Sequence, residues 1–125
     1  LKCTGADNRI EILKKEGLMI LYYLERSVHI IRKSGVKAKT KIQYALLAAD
    51  PMSGFLKAVA QIYPDKKIAS VKRKSVIKNV FNEARFAKGA NRDYMESIEF
   101  TGLMLEDLID IGLEEMCAIS DELGL

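Results

Sequence analysis

With 125 residues, 49% of them apolar, and a net charge of +3, the chain is long enough for one domain with a hydrophobic core and too apolar to be disordered. Its two cysteines, Cys3 and Cys117, are far apart and form no Cys-x-x-Cys pair, which argues against a disulfide framework or a zinc site. The longest apolar run, Leu18 to Leu24, is far shorter than a membrane span, and no signal-peptide pattern is recognised. We therefore expect a protein of the reducing cytoplasm with no membrane partner.

The charge is distributed unevenly along the chain. Residues 1–90 carry 19 Lys and Arg against seven Asp and Glu, a balance of +12, whereas residues 91–125 carry one Arg against ten Asp and Glu, a balance of −9. We expect the two parts to attract each other, either within one molecule or between two copies. The basic part also allows a face for phosphate-bearing ligands.

Apolar residues at helical spacing predict two helices at the start of the chain, before and after Gly17. Asp7 or Asn8 is expected to cap the first of them. The second is predicted to run from Leu18 to Lys33 and to end at Ser34-Gly35.

The stretch Ala45 to Pro51 is an apolar helical run that ends in one carboxylate, Asp50, followed at once by a proline. Thr40 is expected to cap this helix, and Pro51 is expected to end it, because proline disfavours helical geometry at the residue before it. Two interpretations of Asp50 stay open. It is either the N-cap of the next helix, with Pro51 at the first helical position, or a ligand or catalytic carboxylate.

Another apolar helix is predicted from Ser53 to Tyr63, with Gly54 in its first turn, where a small residue allows the close approach of another backbone. One or two helices are predicted over Ile68 to Lys88, with Gly89 just after their end.

The last segment is predicted to be helical, to start at Asn91, and to have Gly102 and Gly112 as candidate breaks. No stretch alternates with the period of a strand. The chain is thus predicted to be all-α, a single domain over residues 1–125 built as one bundle of five to seven helices.

The side chains that carry chemistry are sparse. His29 is the one histidine, and it is either a surface or structural residue or a ligand. Without a second histidine or a cysteine cluster the chain offers no all-protein zinc set, although a harder metal on carboxylates stays open. The basic runs at Lys66-Lys67 and Lys72 to Lys74 bind phosphates or form a solvated helix face. No aromatic residue is interleaved with them, so nucleic acid is not an expected partner.

An acidic helical face is also predicted in the last segment, and its expected role is solubility or pairing with the basic half rather than catalysis. Its members are Glu99, Glu106, Asp107, Asp110, Glu114 and Glu115.

Three pieces of the sequence, read together, resemble a known family. They are Tyr44 to Asp50 with Ser53-Gly54; Tyr63 to Lys67 running on to Val71 to Val76; and Phe86 to Arg92 with Gly102 to Asp107 and the closing Asp121 to Leu125. They resemble the C-terminal part of bacterial HD-domain proteins, the predicted metal-dependent phosphohydrolases. The resemblance covers about residues 35–125 and, more loosely, residues 10–18.

The resemblance implies a helical bundle around a divalent-metal site whose signature is a histidine, a His-Asp pair and a distant aspartate. Asp50 looks like that last aspartate, and His29 is similar in place to a further histidine that some members carry. These two residues are therefore the candidate metal ligands, with a divalent metal as the implied cofactor. The chain itself has no His-Asp dipeptide. It resembles a truncated or shortened member, with the missing motif expected upstream of Leu1 and no complete catalytic site in these residues.

Two functions follow as hypotheses. The first is a shortened phosphohydrolase, with Asp50 pointing into a helical cleft near His29 and a phosphate-bearing small molecule as ligand. The second is a non-catalytic helical module that binds a partner through its basic face or an apolar groove. In either case, apolar faces such as the one at Leu18 to Leu24 would be covered by self-association, so we expect a homodimer.

Overall fold

A computed structural model describes residues 19–81, 83 and 85–125, and the side chains of residues 26–78, 83 and 85–125. All regular secondary structure in this part of the chain is helical, with no strand, which confirms the predicted all-α class. The predicted first helix and its caps Asp7 and Asn8 lie outside the described residues, as does Cys3. The elements are α1 (Met19–Ser34), α2 (Lys41–Ile62), a 3-10 helix (Ile68–Ser70), α3 (Arg73–Phe81), α4 (Arg92–Glu96), a second 3-10 helix (Ser97–Thr101), α5 (Leu105–Ala118) and α6 (Ser120–Leu123).

Local signals place the end of α1 and the start of α2 as predicted. α1 ends at Ser34, whose hydroxyl donates to the carbonyl of Ile30 at 2.6 Å, and Gly35 follows with a φ of 70°. Thr40 caps α2: its hydroxyl accepts from the amide of Gln43, and the Gln43 side chain accepts from the amide of Thr40. This reciprocal capping box satisfies two amides that the first turn of a helix leaves without partners.

α2 runs without interruption through Pro51, so the predicted break at Asp50 is wrong. The proline has no amide to donate to the Leu47 carbonyl, which costs about 3 kcal/mol or more in a helix interior. Burial offsets this cost, since fully burying one large apolar side chain contributes about 1.5–3 kcal/mol. The buried residues of α2 on both sides of the proline are Leu47, Ala48, Met52, Phe55, Leu56, Val59 and Ala60.

α2 is the helix on which the other elements pack. Its contacts include α1, α4, α5 and both 3-10 helices. The main core lies between α2 and the later helices, where Phe55 and Leu56 meet Met95 and Ile109. A smaller cluster joins α1 to the first half of α2 and consists of Val28, Ile31, Ala38 and Leu47.

Gly54, Gly102 and Gly112 differ in backbone conformation and in the space around them. Gly102 has a φ of 88° and ends the second 3-10 helix, which confirms a break there. Gly112 lies inside α5, so the expected break is wrong, and a Cβ at this position would lie 2.7 Å from Cδ1 of Leu56. The close approach predicted at Gly54 is wrong as well, because a Cβ there would have no atom within 4 Å.

The helix predicted to continue to Lys88 ends at Phe81, and residues 85–89 form a turn instead. Gly89 therefore follows no helix. Arg92 holds this turn, since its guanidinium donates to the carbonyls of Glu83 (3.1 Å) and Phe86 (2.7 Å) and lies over the Phe55 ring. Asn91 caps α4 as predicted, with its side chain accepting from the amide of Tyr94.

An ion pair between α3 and α5 joins the basic and acidic parts of the chain. The Arg73 guanidinium lies 2.9 Å from the Asp110 carboxylate, and both side chains are about half exposed. An exposed pair of this kind contributes about 0–1 kcal/mol, so it adds little to the stability of the packing between these two helices. No helix in the part of the chain that the structure describes is long and apolar enough to cross a membrane.

Candidate functional site

Asp50 lies on the exposed face of α2, and its side chain is 65% exposed. It is an interior helical residue, so the interpretation of Asp50 as the N-cap of a second helix is wrong. Its backbone carbonyl accepts from the hydroxyl of Ser53 at 2.8 Å. The spacing of four residues also places Asp50 on the same face of α2 as Gly54.

Arg32 of α1 makes an ion pair with Asp50, with 2.5 Å between guanidinium nitrogen and carboxylate oxygen. The same guanidinium lies 5.8 Å from the centre of the Tyr94 ring, so α1, α2 and α4 meet at this point. A pair between partly exposed groups contributes about 0–1 kcal/mol, and a cation over an aromatic ring about 0.5–1 kcal/mol. The Arg32–Asp50 pair places a positive charge next to the carboxylate.

His29 is exposed on α1, one turn before Arg32. Three residues of spacing place the two side chains on neighbouring positions of the helix surface. Within the described residues, no group of three or more His, Cys, Asp and Glu side chains is arranged to hold a metal ion. The assignment of Asp50 and His29 as metal ligands stays a prediction.

A hollow lined by Pro51 was missed by the sequence reasoning. It has a volume of about 310 Å³ and lies between the middle of α2 and the turn that follows α3. We call it the Pro51 hollow. Its lining residues are Pro51, Gly54, Ala87, Gly89 and Ala90.

The sequence signal for this hollow was a group of small residues that includes Ala87 and Gly89. These two residues were assigned to the end of a predicted helix. Ala87 has a φ of 47°, a conformation that suits a turn and not a helix. The Arg92 side chain fixes the same turn through the Phe86 carbonyl. One wall of the hollow is therefore a turn that Arg92 holds in place, and the other wall is α2.

A second groove, of about 360 Å³, lies at the other end of α2. Its hydroxyl groups bond to each other, with Tyr63 Oη 2.9 Å from Ser75 Oγ. Lys78 and Glu83 give it charges of both signs. The neighbouring basic residues Lys72 and Lys74 are exposed, as expected for either interpretation of the basic face.

The loop between α2 and the first 3-10 helix is organised by Asp65. Its carboxylate accepts a hydrogen bond from the Ser70 hydroxyl and another from the amide of Lys67. The bond from Ser70 and then that from Lys67 lower the pKa of Asp65 from its ordinary value of 3.8. This carboxylate has a structural role, and it presents the Lys66-Lys67 run on a fixed loop.

Large apolar side chains are exposed on several elements. Phe100 is 68% exposed and stacks on the Tyr44 ring with 4.8 Å between centroids. Met104 is 63% exposed nearby in the chain, and Ile30 and Ile42 are about half exposed. The side chains of Leu18 to Leu24, which were expected to form an apolar face, lie outside the described side chains.

Comparison of the chain with protein-family models, with curated proteins and with solved structures finds no match.

Proposed function

We propose that the chain is the C-terminal part of an HD-superfamily metal-dependent phosphohydrolase, in which Asp50 is one ligand of a divalent metal. The observation that carries the proposal is the position of Asp50. The aspartate singled out by the resemblance is an exposed carboxylate paired with a guanidinium, and the next residue, Pro51, lines a hollow. A helix interior holds it on a rigid element, as a metal ligand needs.

Asp50 and His29 supply only part of the ligand set that a divalent metal needs. Asp50 offers one carboxylate and His29 one imidazole on a neighbouring helix, and a metal of this kind needs further ligands. The His-Asp pair is absent from the 125 residues, so the rest of the site has to come from other polypeptide. A bound metal would polarise a phosphoryl oxygen and lower the pKa of a bound water. Arg32 would keep Asp50 in place, and its planar guanidinium also suits phosphate oxygens.

The test begins with the coding sequence that precedes the codon for Leu1. We expect an in-frame His-Asp pair there, and the encoded polypeptide should hydrolyse phosphate esters when Mn²⁺, Mg²⁺ or Co²⁺ is added. Asp50→Asn should abolish this activity, whereas the matched control Asp65→Asn, which removes an aspartate of structural role, should retain it. Metal-stimulated hydrolysis that survives Asp50→Asn would refute the proposal.

A second function, a non-catalytic helical module, is favoured by the Arg32–Asp50 pair itself. This contact ties three helices together, which is sufficient reason for a carboxylate at this position. The exposed Phe100 and Met104 would then contribute to a surface for a second copy of the chain. Light scattering at micromolar concentration tests the homodimer, and Phe100→Asp should shift it to the monomer if this surface is used.

A further inference from the structure

The ion pair between Arg73 of α3 and Asp110 of α5 lies at a boundary between two charged surfaces. Exposed lysines lie on its α3 side, and exposed carboxylates lie on its α5 side. We call the first group the basic strip, which consists of Lys72, Lys74 and Lys78. We call the second group the acidic strip, which consists of Asp107, Glu114 and Glu115. Arg73 and Asp110 pair with each other, whereas both strips present their charges to solvent.

On α5 the acidic strip surrounds an exposed apolar side chain. Glu114 is four residues after Asp110 and three after Ile111, so it lies between them on the helix surface. Ile111 is 48% exposed, and Glu115, four residues after it, borders it as well. With increasing distance from the ion pair, the surface of α5 therefore changes from carboxylate to isoleucine.

On the α3 side the same change occurs with the opposite charge. Lys74 follows Arg73, and Lys78 is four residues further along the same face of α3. Lys78 also lines the groove of about 360 Å³ at the end of α2, in which Ile62 is 59% exposed. The surface thus changes from lysine to isoleucine, and the positive charge ends at Glu83, which lines the same groove.

A two-fold rotation about an axis through the ion pair exchanges these two sides. It places the acidic strip of one copy against the basic strip of the other, and it brings Ile111 of each copy to the groove of the other. We propose that α3 and α5 form the interface of a symmetric dimer, with a second copy of the chain as the partner. A self-complementary surface of this kind gives a closed pair rather than an open chain. The interface uses neither Asp50 nor Phe100, so it goes beyond both functions proposed above.

The charged and the apolar side chains have different roles in this dimer. Opposite charges determine which surfaces meet and in which register, although exposed ion pairs add little affinity by themselves. The affinity comes from Ile62 and Ile111, because removing exposed apolar surface from water is favourable. The dimer also uses the uneven charge of the sequence, since a basic segment from residues 1–90 meets an acidic one from residues 91–125 twice.

Sedimentation velocity of the 125-residue chain at micromolar concentration tests the pairing. Wild type should be a dimer in about 0.01 M salt, and its association should weaken at least tenfold in about 1 M salt, because the Debye length falls from about 30 Å to about 3 Å. Two double variants reverse one strip each: Lys74→Glu with Lys78→Glu, and Glu114→Lys with Glu115→Lys. Each should be monomeric, because like charges then face each other at both contacts. An equal mixture should form a dimer with one chain of each variant, because one carries two acidic strips and the other two basic strips.

Matched controls change the net charge equally at exposed positions outside both strips. They are Lys37→Glu with Lys57→Glu, and Glu96→Lys with Glu99→Lys. Both controls should dimerise as wild type does, and circular dichroism should show the same helix content in all variants. The inference is overturned by a monomeric wild type, by a dimer that either strip variant retains, or by a mixture of folded strip variants that stays monomeric. Wild-type assemblies larger than a dimer would also overturn it, since the interface would then not be closed.

Discussion

The same substitution at two helical glycines, Gly54 and Gly112, should have unequal effects on stability. Gly54→Ala and Gly112→Ala each replace an interior helical glycine, which by helix propensity alone stabilises by about 1 kcal/mol. At Gly54 nothing opposes this gain, since no atom lies within 4 Å of the new Cβ. At Gly112 the new Cβ would lie 2.7 Å from Cδ1 of Leu56 and 4.0 Å from Cγ of Met52.

The overlap at Gly112 is with the end of a buried side chain. Leu56 is fully buried in the main core, so relieving the overlap requires this side chain to shift against its packed neighbours. Overpacking of this kind costs about 1–3 kcal/mol. The gain in helix propensity is the same for both variants, so the overpacking cost sets the difference between them. The free energy of unfolding of Gly112→Ala should therefore be lower than that of Gly54→Ala by about 1–3 kcal/mol.

Urea denaturation followed by circular dichroism at 222 nm measures this difference. The two variants should differ in midpoint with the same slope against urea concentration, because both keep the fold. A difference of 1 kcal/mol corresponds to about 4 °C in melting temperature for a domain of this size. The reasoning is refuted if Gly112→Ala is as stable as Gly54→Ala, since α2 and α5 would then not approach as closely as described.

Three further changes test the core, the Asp65 loop and the contact of α1. Phe55→Ala removes a fully buried ring that meets Phe86 edge to face at 5.5 Å, and it should destabilise by about 3–5 kcal/mol in the same urea assay. The pKa of Asp65, followed by NMR titration of its carboxyl carbon, should lie below 3.8. Because its folded pKa is lowered, its contribution to stability is present above the unfolded pKa and is lost as pH falls through the folded value. The stability difference between wild type and Asp65→Asn should thus shrink below about pH 4, and a difference that persists at pH 2 would contradict the assigned hydrogen bonds. Arg32→Met should destabilise by only about 0.5–2 kcal/mol, the sum of an exposed ion pair and one ring contact, and a larger loss would mean that the pair is more buried than described.

Short-range chemistry made several features predictable from the sequence. Thr40 and Asn91 cap helices through hydrogen bonds to amides three residues away, and Gly35 and Gly102 end helices because their backbones adopt positive φ. These signals depend on residues within one turn. The all-α class follows equally from the spacing of apolar residues, which is also local information.

Features that depend on distant residues were not predictable. Pro51 was expected to end a helix, but the burial of α2 on both sides of it decides otherwise. The pairing of Arg32 with Asp50 depends on how α1 packs, and the turn over residues 85–89 depends on Arg92. The Pro51 hollow lies between α2 and this turn, so the small residues in the sequence could not reveal it without the fold.

The two apolar clusters formed by the described side chains differ in size. Among these side chains, α1 is attached through a cluster with four buried residues and through Arg32, whereas the later helices share the much larger core around α2. Segments with few buried contacts open at a lower free energy than the whole fold. Backbone amides of α1 should therefore exchange with deuterium before those of α2. The open form would leave Asp50 without its guanidinium, so the ion pair at the candidate site depends on the docking of a single helix.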